Sequence, residues 1–354
     1  MKQATITIAG ILVLVYVAIH LDWKDANTDF AAFYSAAKVG PVRYLNHADM
    51  QIANAELGSI DLARSYLPRL PFFVAMMKPL SLLSYTAALN LWRVLMAATL
   101  VASSAIWVRW HCSAHVVLAW SLPALWAIFA GQDVSLCFLA ASASLVIANP
   151  FLAGVILGFA SLKWHLFVFI AAVLIARREW LIIAGSAISV ATVIAGSFAL
   201  CPNWLPRMVD MLRNAAMHPN FNRSPGIRTL FVASPIAFVA VLAISAVLVG
   251  LISTRLPRNV CFALAMAAGC IVNAHSYAHD CILLIPLIAI AIGTNGSLKR
   301  IGIALASPIP YLALLFGVAW PVRLGVVAIA TMLFGRVMTL APWTHCQCAD
   351  GELP

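Results

Sequence analysis

The chain has few ionisable side chains, so those beside apolar segments are its first candidates for chemistry. It contains twelve acidic residues, and Asp29 opens the aromatic run Phe30-Ala31-Ala32-Phe33-Tyr34. A carboxylate in this place can act as a general base that takes a proton from a hydroxyl group. It can also cap a short helix, with Thr28 as the alternative capping residue. The pattern alone favours the cap.

Cationic side chains form a second group, and their chemistry would be the binding of an anion such as phosphate. Lys163 lies between two short apolar segments, where a charge costs about 2.5–3.5 kcal/mol if it faces the bilayer centre. It could contact a phosphate, or its long side chain could extend to the membrane interface. Arg69 lies between two prolines and Arg228 just precedes an apolar segment. Either could reach a lipid phosphate at the membrane surface.

Two further polar groups stand at the ends of apolar segments. His275, His279 and Asp280 lie close together in sequence. They are either an ordinary polar turn or a site in which histidine donates to a phosphate and Asp280 orients it or a sugar hydroxyl. Gln132 and Asp133 could bind a sugar or cap the next helix, and the cap is favoured. No metal site is predicted from these residues.

The elements that would position these side chains are membrane helices. The chain is 63% hydrophobic and 10% charged, whereas roughly a quarter of average usage is charged. Apolar runs recur along the whole chain and match the thickness of the hydrocarbon core. We expect an all-α integral membrane protein of about twelve spans in a single domain, 1–354. The spans are predicted near 4–20, 84–108, 114–129, 133–148, 151–163, 165–176, 181–200, 229–253, 259–275, 280–294, 301–318 and 324–341.

The orientation of these spans depends on the stretch 151–176, which is either one long helix or two short helices that meet near Lys163. Short connectors with paired basic residues belong in the cytoplasm. Only the two-helix alternative places Arg177, Arg255 and Lys299 there together, so it is preferred. Both termini are then cytoplasmic, with a tail at 342–354. The outer face carries a large first loop, 21–83, with a short helix on the membrane surface, and a second loop, 201–228.

Several short motifs resemble those of glycosyltransferase family 87, in the same order. They are Asp-Phe-x-x-Phe-Tyr-x-Ala-Ala at Asp29, a Tyr-x-Pro to Leu-Trp stretch over 66–92, Gly131-Gln132, an Ala-Gly-x-x-x-Gly-x-Ala-x-x-Lys helix ending at Lys163, Arg177-Arg178, and His-Ser-Tyr-Ala-His-Asp over 275–280. Together they extend over about 1–290. Two places differ from the family pattern: Trp164-His165 replaces a proline, and histidines replace late tyrosines.

The resemblance implies a GT-C type bundle and an inverting transferase. The donor would be a polyprenyl-phosphate-linked sugar, and the acceptor a hydroxyl group of a glycolipid or glycan. Asp29 would be the catalytic base, and Tyr34, Asp280 and Gln132 would orient the sugar or the site. The donor phosphate would be bound by Lys163, Arg69, His279, His275 and Arg228. No cofactor is implied, since the lipid-linked sugar is a substrate, and the site would face outward from a bacterial inner membrane.

Other function classes fit less well. The net charge is +10, which in a membrane protein indicates cytoplasmic anchoring and contact with lipid phosphates. Nucleic acid is a poor partner, because no basic run or soluble module is present. A transporter or lipid flippase is the main alternative, but such proteins usually carry their charges within spans. In the tail, His345, Cys346 and Cys348 are too few to predict a metal site.

Overall fold

The computed structural model describes residues 29–58, 67–213, 224–231, 233–273 and 275–338, with five isolated positions in the first apolar run. The predicted span 4–20, as a whole, and the tail 342–354 lie outside the described residues. So do His345, Cys346 and Cys348.

The described part of the chain is helical and contains no strand. Its α-helices are α1 (Asp29–Val39), α2 (His47–Glu56), α3 (Pro71–Met77), α4 (Tyr85–Trp107), α5 (Ala114–Ala119), α6 (Leu122–Ala130), α7 (Val134–Ala143), α8 (Pro150–Gly158), α9 (Trp164–Ala176), α10 (Trp180–Leu200), α11 (Trp204–Arg213), α12 (Pro235–Ser253), α13 (Arg258–Ile271), α14 (Ile285–Ile292), α15 (Ser297–Ala306), α16 (Ile309–Leu315) and α17 (Trp320–Met338). Short 3-10 helices cover Lys78–Leu82, Phe159–Lys163, Ile227–Phe231 and Ala278–Leu284.

Among the described residues, fewer helices can cross a membrane than the sequence predicts. By length and composition there are four, namely α4, α10, α12 and the stretch Pro150–Ala176, or up to six if two bent helix pairs each count as one span. The expectation of about twelve spans is therefore not confirmed. The predicted span 301–318 bends by 51° between α15 and α16. Pro308 and Pro310 lie at this bend, and proline disfavours a continuous helix.

The first loop folds into a small core of its own on α4. Helix α1 is confirmed, but its residues from Phe30 to Ala37 are all buried. It packs against α3 and the first half of α4. In the contact with α3, the rings of Phe33 and Phe73 meet edge to face with centroids 5.2 Å apart. The prediction that this helix lies on the membrane surface with one apolar face is wrong. The loop helices cover the other side of α1, which its own pattern does not reveal.

Helix α8 and the first half of α10 run parallel in tight contact. A Cβ added to Gly154 would lie 2.1 Å from the Ile182 carbonyl oxygen, and one added to Gly158 would lie 2.4 Å from Ser189 Cβ. The residue numbers of the contacts on α10 thus increase together with those on α8, which shows that the two helices are parallel. Ser186 Oγ donates to the Gly154 carbonyl at 3.0 Å and holds the same register.

This parallel packing requires the chain to reverse direction within Pro150–Ala176. A straight helix from Gly154 to Ala176 would measure about 33 Å. Ile182 touches Gly154, and the six residues that link Ala176 to Ile182 can span at most about 22 Å. The reversal falls at the 3-10 helix Phe159–Lys163, where the regular α-helix is interrupted. The contacts therefore favour two short helices that meet at Lys163, so the stretch Pro150–Ala176 is long and apolar enough to span a membrane but is not one straight span.

A side chain at position 154 is expected to destabilise the hairpin formed by α8 and α9, because it would occupy the space where α8 contacts α10. The Gly154→Ala variant should lose about 1–3 kcal/mol of stability or more, because the new methyl group meets backbone rather than a side chain that can move. Thermal unfolding of the purified protein in detergent measures the loss. Gly335→Ala is the matched control, since a Cβ there meets nothing within 4 Å. Equal melting of the two variants would contradict the parallel packing.

One end of the helical bundle gathers the connectors that carry basic residues. Arg177 donates to the carbonyls of Ser253 and Leu256, and Arg258 pairs with Glu179 at 3.2 Å. The 107–113 connector lies at the same end, because His111 contacts α13 near its start. We call this the basic end. Its cations are Arg109, Arg177, Arg178, Arg255 and Arg258. Lys299 and Arg300 follow on α15, just after α14, whose Ala289 carbonyl accepts from Ser113 of the 107–113 connector at 3.0 Å.

Three helix pairs rise from the basic end and reverse direction at a common level. They are α6–α7, which bend by 120°, α8–α9, and α13 with the helical stretch Ala278–Ile292. Each of α9 and α13 places this level about 20 Å from the basic end, at 1.5 Å per residue. Helices α4 and α10, with 23 and 21 residues, continue about 12–15 Å further. The reversals therefore lie in a recess below the far ends of the longest helices.

A separate contact holds the far side of the third reversal. Arg323 on α17 donates to the carbonyls of Ser224, Pro225 and Gly226 at 2.7–3.1 Å. A Cβ on Gly226 would lie 2.9 Å from the Asn273 carbonyl oxygen. The segment 224–226 is thus held directly against the connector that follows α13.

Candidate active site

The turn between α6 and α7 brings two polar side chains to the level of the reversals. Gly131 has φ +67°, and an added Cβ would lie 2.8 Å from Phe30 Cβ. Both features require glycine. Trp92 Nε1 donates to the Gly131 carbonyl at 2.8 Å and fixes the turn against α4. The residues that follow, Gln132 and Asp133, are buried at the tip of the turn.

Asp133 is held by two cations. Arg69 donates to both of its carboxylate oxygens, at 2.9 Å and 3.0 Å, and Lys163 Nζ lies 3.4 Å from Oδ1. Asp133 occupies the N-cap position of α7, but its side chain makes no capping hydrogen bond. The favoured prediction of a cap is therefore wrong for Asp133. Its carboxylate is used for ion pairing instead.

Lys163 connects all three reversals. Its ammonium lies 3.1 Å from Asp280 Oδ1 and 3.1 Å from Gln132 Oε1, besides its contact with Asp133. A lysine ammonium has three N–H donors, and these three oxygens can occupy all of them. The side chain is only 4% exposed. The predicted contact of Lys163 with a phosphate stays a prediction, and this geometry gives the lysine protein partners.

Asp29 joins the group through an amide. Gln132 Nε2 donates to Asp29 Oδ2 in a short hydrogen bond. Asp29 begins α1 and is partly exposed, whereas Asp133 and Asp280 are buried. Within the described residues, no ion pair involves Asp29. It is thus the one carboxylate of the group with partial access and a neutral partner. The group, which we call the polar cluster, comprises Asp29, Arg69, Gln132, Asp133, Lys163 and Asp280.

Four aromatic and imidazole rings line one side of the polar cluster. His275 lies against Tyr277 with ring centroids 4.6 Å apart, and Tyr277 lies 5.3 Å from His279. His165 faces His275 at 6.3 Å. The backbone N–H of Tyr277 donates to Asp280 Oδ2 at 2.8 Å, which ties these rings to the carboxylate. We call these four residues the ring group.

Two histidines of the ring group can still bind a substrate. His279 Nε2 is buried and has no hydrogen-bond partner, although it lies 3.6 Å from Asp280 Oδ1. A buried polar atom without a partner is costly and calls for an explanation. His275, in the connector after α13, lies beside Tyr277 in the same ring group. A neutral imidazole offers one donor and one acceptor.

Two residues predicted for the site are not brought to it. The Tyr34 hydroxyl donates to the Leu83 carbonyl at 2.7 Å, and its ring packs on Tyr85 inside the core of the first loop. Arg228 donates to the Phe231 carbonyl and lies over the Phe238 ring at 5.5 Å. Neither side chain has a described contact with the polar cluster.

The site also contains residues that the sequence did not single out for it, namely Asp133 as an ion-pair partner, His165 and Tyr277. The sequence pattern indicates only a sugar contact or a cap for Asp133. His165 belongs to a departure from the family pattern, and Tyr277 belongs to a motif. The signal that could have found them is position in the sequence, since each lies within two residues of a predicted site residue.

The sequence model of glycosyltransferase family 87 matches residues 71–274, more than half of the chain. The chain belongs to glycosyltransferase family 87. This confirms the resemblance seen in the motifs and indicates a membrane glycosyltransferase. No curated protein and no solved structure matched the chain.

The family 87 match covers two of the three reversals in full. Gln132, Asp133 and Lys163 lie within the matched residues, whereas Asp29 and Asp280 lie outside them. The polar cluster therefore joins matched and unmatched parts of this family 87 chain through the ion pairs Arg69–Asp133 at 2.9 Å and Lys163–Asp280 at 3.1 Å.

Proposed function

We propose that this family 87 protein is an inverting glycosyltransferase. It would move a monosaccharide from a polyprenyl-phosphate donor to a hydroxyl group of a glycolipid or glycan. The observation that carries the proposal is the placement of Asp29. This partly exposed carboxylate accepts from a neutral amide and lies at the edge of a buried cluster of cations, carboxylates and imidazoles.

The proposed transfer needs one proton acceptor. The acceptor hydroxyl oxygen attacks the anomeric carbon and forms the new glycosidic bond, while the bond to the phosphate oxygen breaks. Asp29 takes the hydroxyl proton, and the electron pair of the broken bond leaves with the polyprenyl phosphate. The leaving group is already anionic and needs little protonation. No cofactor is required, because the donor is itself activated.

The leaving phosphate needs positive charge and hydrogen-bond donors, which are most effective when preorganised in a site that excludes water. Arg69 donates hydrogen bonds to Asp133 through Nε and one terminal nitrogen. Its other terminal nitrogen lies 3.5 Å from the Pro68 carbonyl oxygen. That nitrogen and His279 Nε2 are the best-placed donors, with His275 beside them. Gln132 and Asp280, whose side chains bond other residues of the polar cluster, would orient the site. The phosphate roles predicted for Lys163 and Arg228 have less support, because their donors face protein groups.

The sidedness of the proposed reaction follows from charge. Short connectors with paired basic residues lie in the cytoplasm, so we assign the basic end to that side. The polar cluster lies about 20 Å from the basic end, in the outer part of a hydrocarbon core about 30 Å thick. The recess would then open to the outer face of a bacterial inner membrane. There the polyprenyl tail can stay in lipid while the phosphate reaches the rings.

Transfer by the wild-type protein in liposomes tests this proposal. Radiolabelled polyprenyl-phosphate mannose and polyprenyl-phosphate arabinose are supplied in turn, with a bacterial membrane lipid extract as acceptor. We expect a labelled glycolipid from one of these donors and none from the corresponding sugar nucleotide. Transfer from the nucleotide alone would contradict a lipid-linked donor. Movement of the lipid donor across the bilayer without product would indicate the flippase alternative.

A further inference from the structure

Gln132 is hydrogen-bonded on both sides within the polar cluster. Its Oε1 accepts from Lys163 Nζ at 3.1 Å, and its Nε2 donates to Asp29 Oδ2. The side chain is 5% exposed, so water does not compete freely for either bond. The amide is therefore a bridge between the one buried lysine of the cluster and the proposed base.

The chemistry of its two neighbours fixes the orientation of this amide. An ammonium can only donate hydrogen bonds, and an ionised carboxylate can only accept them. If the amide were flipped, its oxygen would face the carboxylate and its NH2 group would face the ammonium. Both contacts would be repulsive. Lys163 therefore obliges Gln132 to present its N–H to Asp29.

The position of Lys163 is fixed in turn by the two buried carboxylates. Asp280 and Asp133 hold its ammonium from the third and first reversals, at 3.1 Å and 3.4 Å. Arg69 saturates the remaining side of Asp133 with two hydrogen bonds. The cations thus act on the buried acids directly and on Asp29 only through an amide.

We infer that Gln132 and Lys163 are positioning residues for Asp29. The lysine orients the amide, and the amide N–H holds one carboxylate oxygen as an acceptor. The second oxygen of Asp29 is then left to receive the proton of the acceptor hydroxyl. A direct ion pair to a lysine would hold the same carboxylate in place but would weaken it as a base, and a neutral amide avoids that. This inference rests on the proposed function.

Gln132→Glu separates this role from a merely structural one. The new side chain can still accept from Lys163, but it replaces the N–H that faces Asp29 with an oxygen. We expect the variant, compared with the wild type at equal folded yield, to lose kcat by about 10- to 100-fold at neutral pH, because the added carboxylate oxygen repels that of Asp29. KM for the lipid donor should stay within about twofold of the wild type, because donor-binding groups are unchanged.

Two further variants complete the test. Gln51→Glu on α2 makes the same chemical change outside the cluster and should leave kcat unchanged. In an Asp29→Asn background, Gln132→Glu should cause little further loss, because its effect passes through Asp29. If Gln132→Glu does not fold, Gln132→Asn replaces it. That amide is one carbon shorter and cannot bridge both partners, so kcat is again expected to fall.

The outcomes distinguish the two proposals. If the wild type transfers no sugar from any lipid donor, the proposed function fails. If the wild type is active and Gln132→Glu keeps kcat within twofold, the inference fails alone. A loss confined to KM would also overturn it, since it would make Gln132 a substrate contact. An undiminished further loss in the Asp29→Asn background would show that Gln132 acts independently of Asp29.

Discussion

Replacing Asp29 with asparagine is expected to lower kcat by about 10²–10⁴-fold, the usual contribution of a positioned general base. The substitution keeps the size of the side chain but removes its ability to accept the hydroxyl proton. KM for the lipid donor should change little, since the proposed phosphate donors are Arg69 and His279. Initial rates of glycolipid formation at equal folded yield measure the effect.

Asp49→Asn provides the matched control for this substitution. Asp49 lies on α2 in the same loop region and pairs with Arg43 at 2.7 Å on the surface. An exposed pair of this kind contributes little to stability, so its variant should transfer sugar at the wild-type rate. Wild-type kcat in Asp29→Asn would remove Asp29 as the base. A large loss in both variants would instead point to a general defect of the loop.

Replacing Lys163 with methionine should cost the protein about 3–5 kcal/mol of stability, because it breaks buried ion pairs and leaves a carboxylate uncompensated. Asp133 would keep its two bonds from Arg69. Asp280 would keep only the Tyr277 N–H and the more distant His279. Loss of the lysine also frees the Gln132 amide, so activity should fall together with stability. Thermal unfolding in nanodiscs measures the first effect.

Charge balance supplies the control for Lys163→Met. The double variant Lys163→Met with Asp280→Asn removes one cation and the carboxylate that it leaves unpaired. We expect it to recover part of the stability that the single variant loses, a coupling typical of groups in contact. Lys299→Met at the exposed basic end should stay within about 0.5 kcal/mol of the wild type. A Lys163→Met variant as stable as Lys299→Met would refute the buried network.

Much of the polar cluster could be predicted from the sequence. Asp29, Arg69, Gln132, Lys163 and Asp280 were all candidates, and the structure brings them together. The rule that paired basic residues lie in the cytoplasm predicts that the chain reverses direction near Lys163. The glycine contacts between α8 and α10 support this reversal. Charged residues are rare in this apolar sequence, so each one beside an apolar segment is a candidate for function. Gln132 is a candidate because it follows Gly131 at the start of an apolar segment.

The partners of these charges could not be predicted. Asp133 and Arg69 are separated by 64 residues, and no local pattern links them. A carboxylate just before a helix is usually a cap, so the local rule gave the wrong role for Asp133. The same limit applies to Tyr34, whose hydroxyl bonds a carbonyl 49 residues away. The phosphate role predicted for Arg228 rests only on its place before an apolar segment. In the structure its guanidinium contacts Phe231 and Phe238 instead of the polar cluster.

The order of the buried charges along the chain has a consequence for biosynthesis. Arg69 and Asp133 are synthesised before Lys163, so an acid is already present when the lysine enters the membrane. Asp280 follows 117 residues later, about 6–25 s at usual rates of translation. During that interval one arginine and one lysine share a single aspartate. Among these four buried charges the nascent chain thus carries one surplus positive charge, which Asp280 balances.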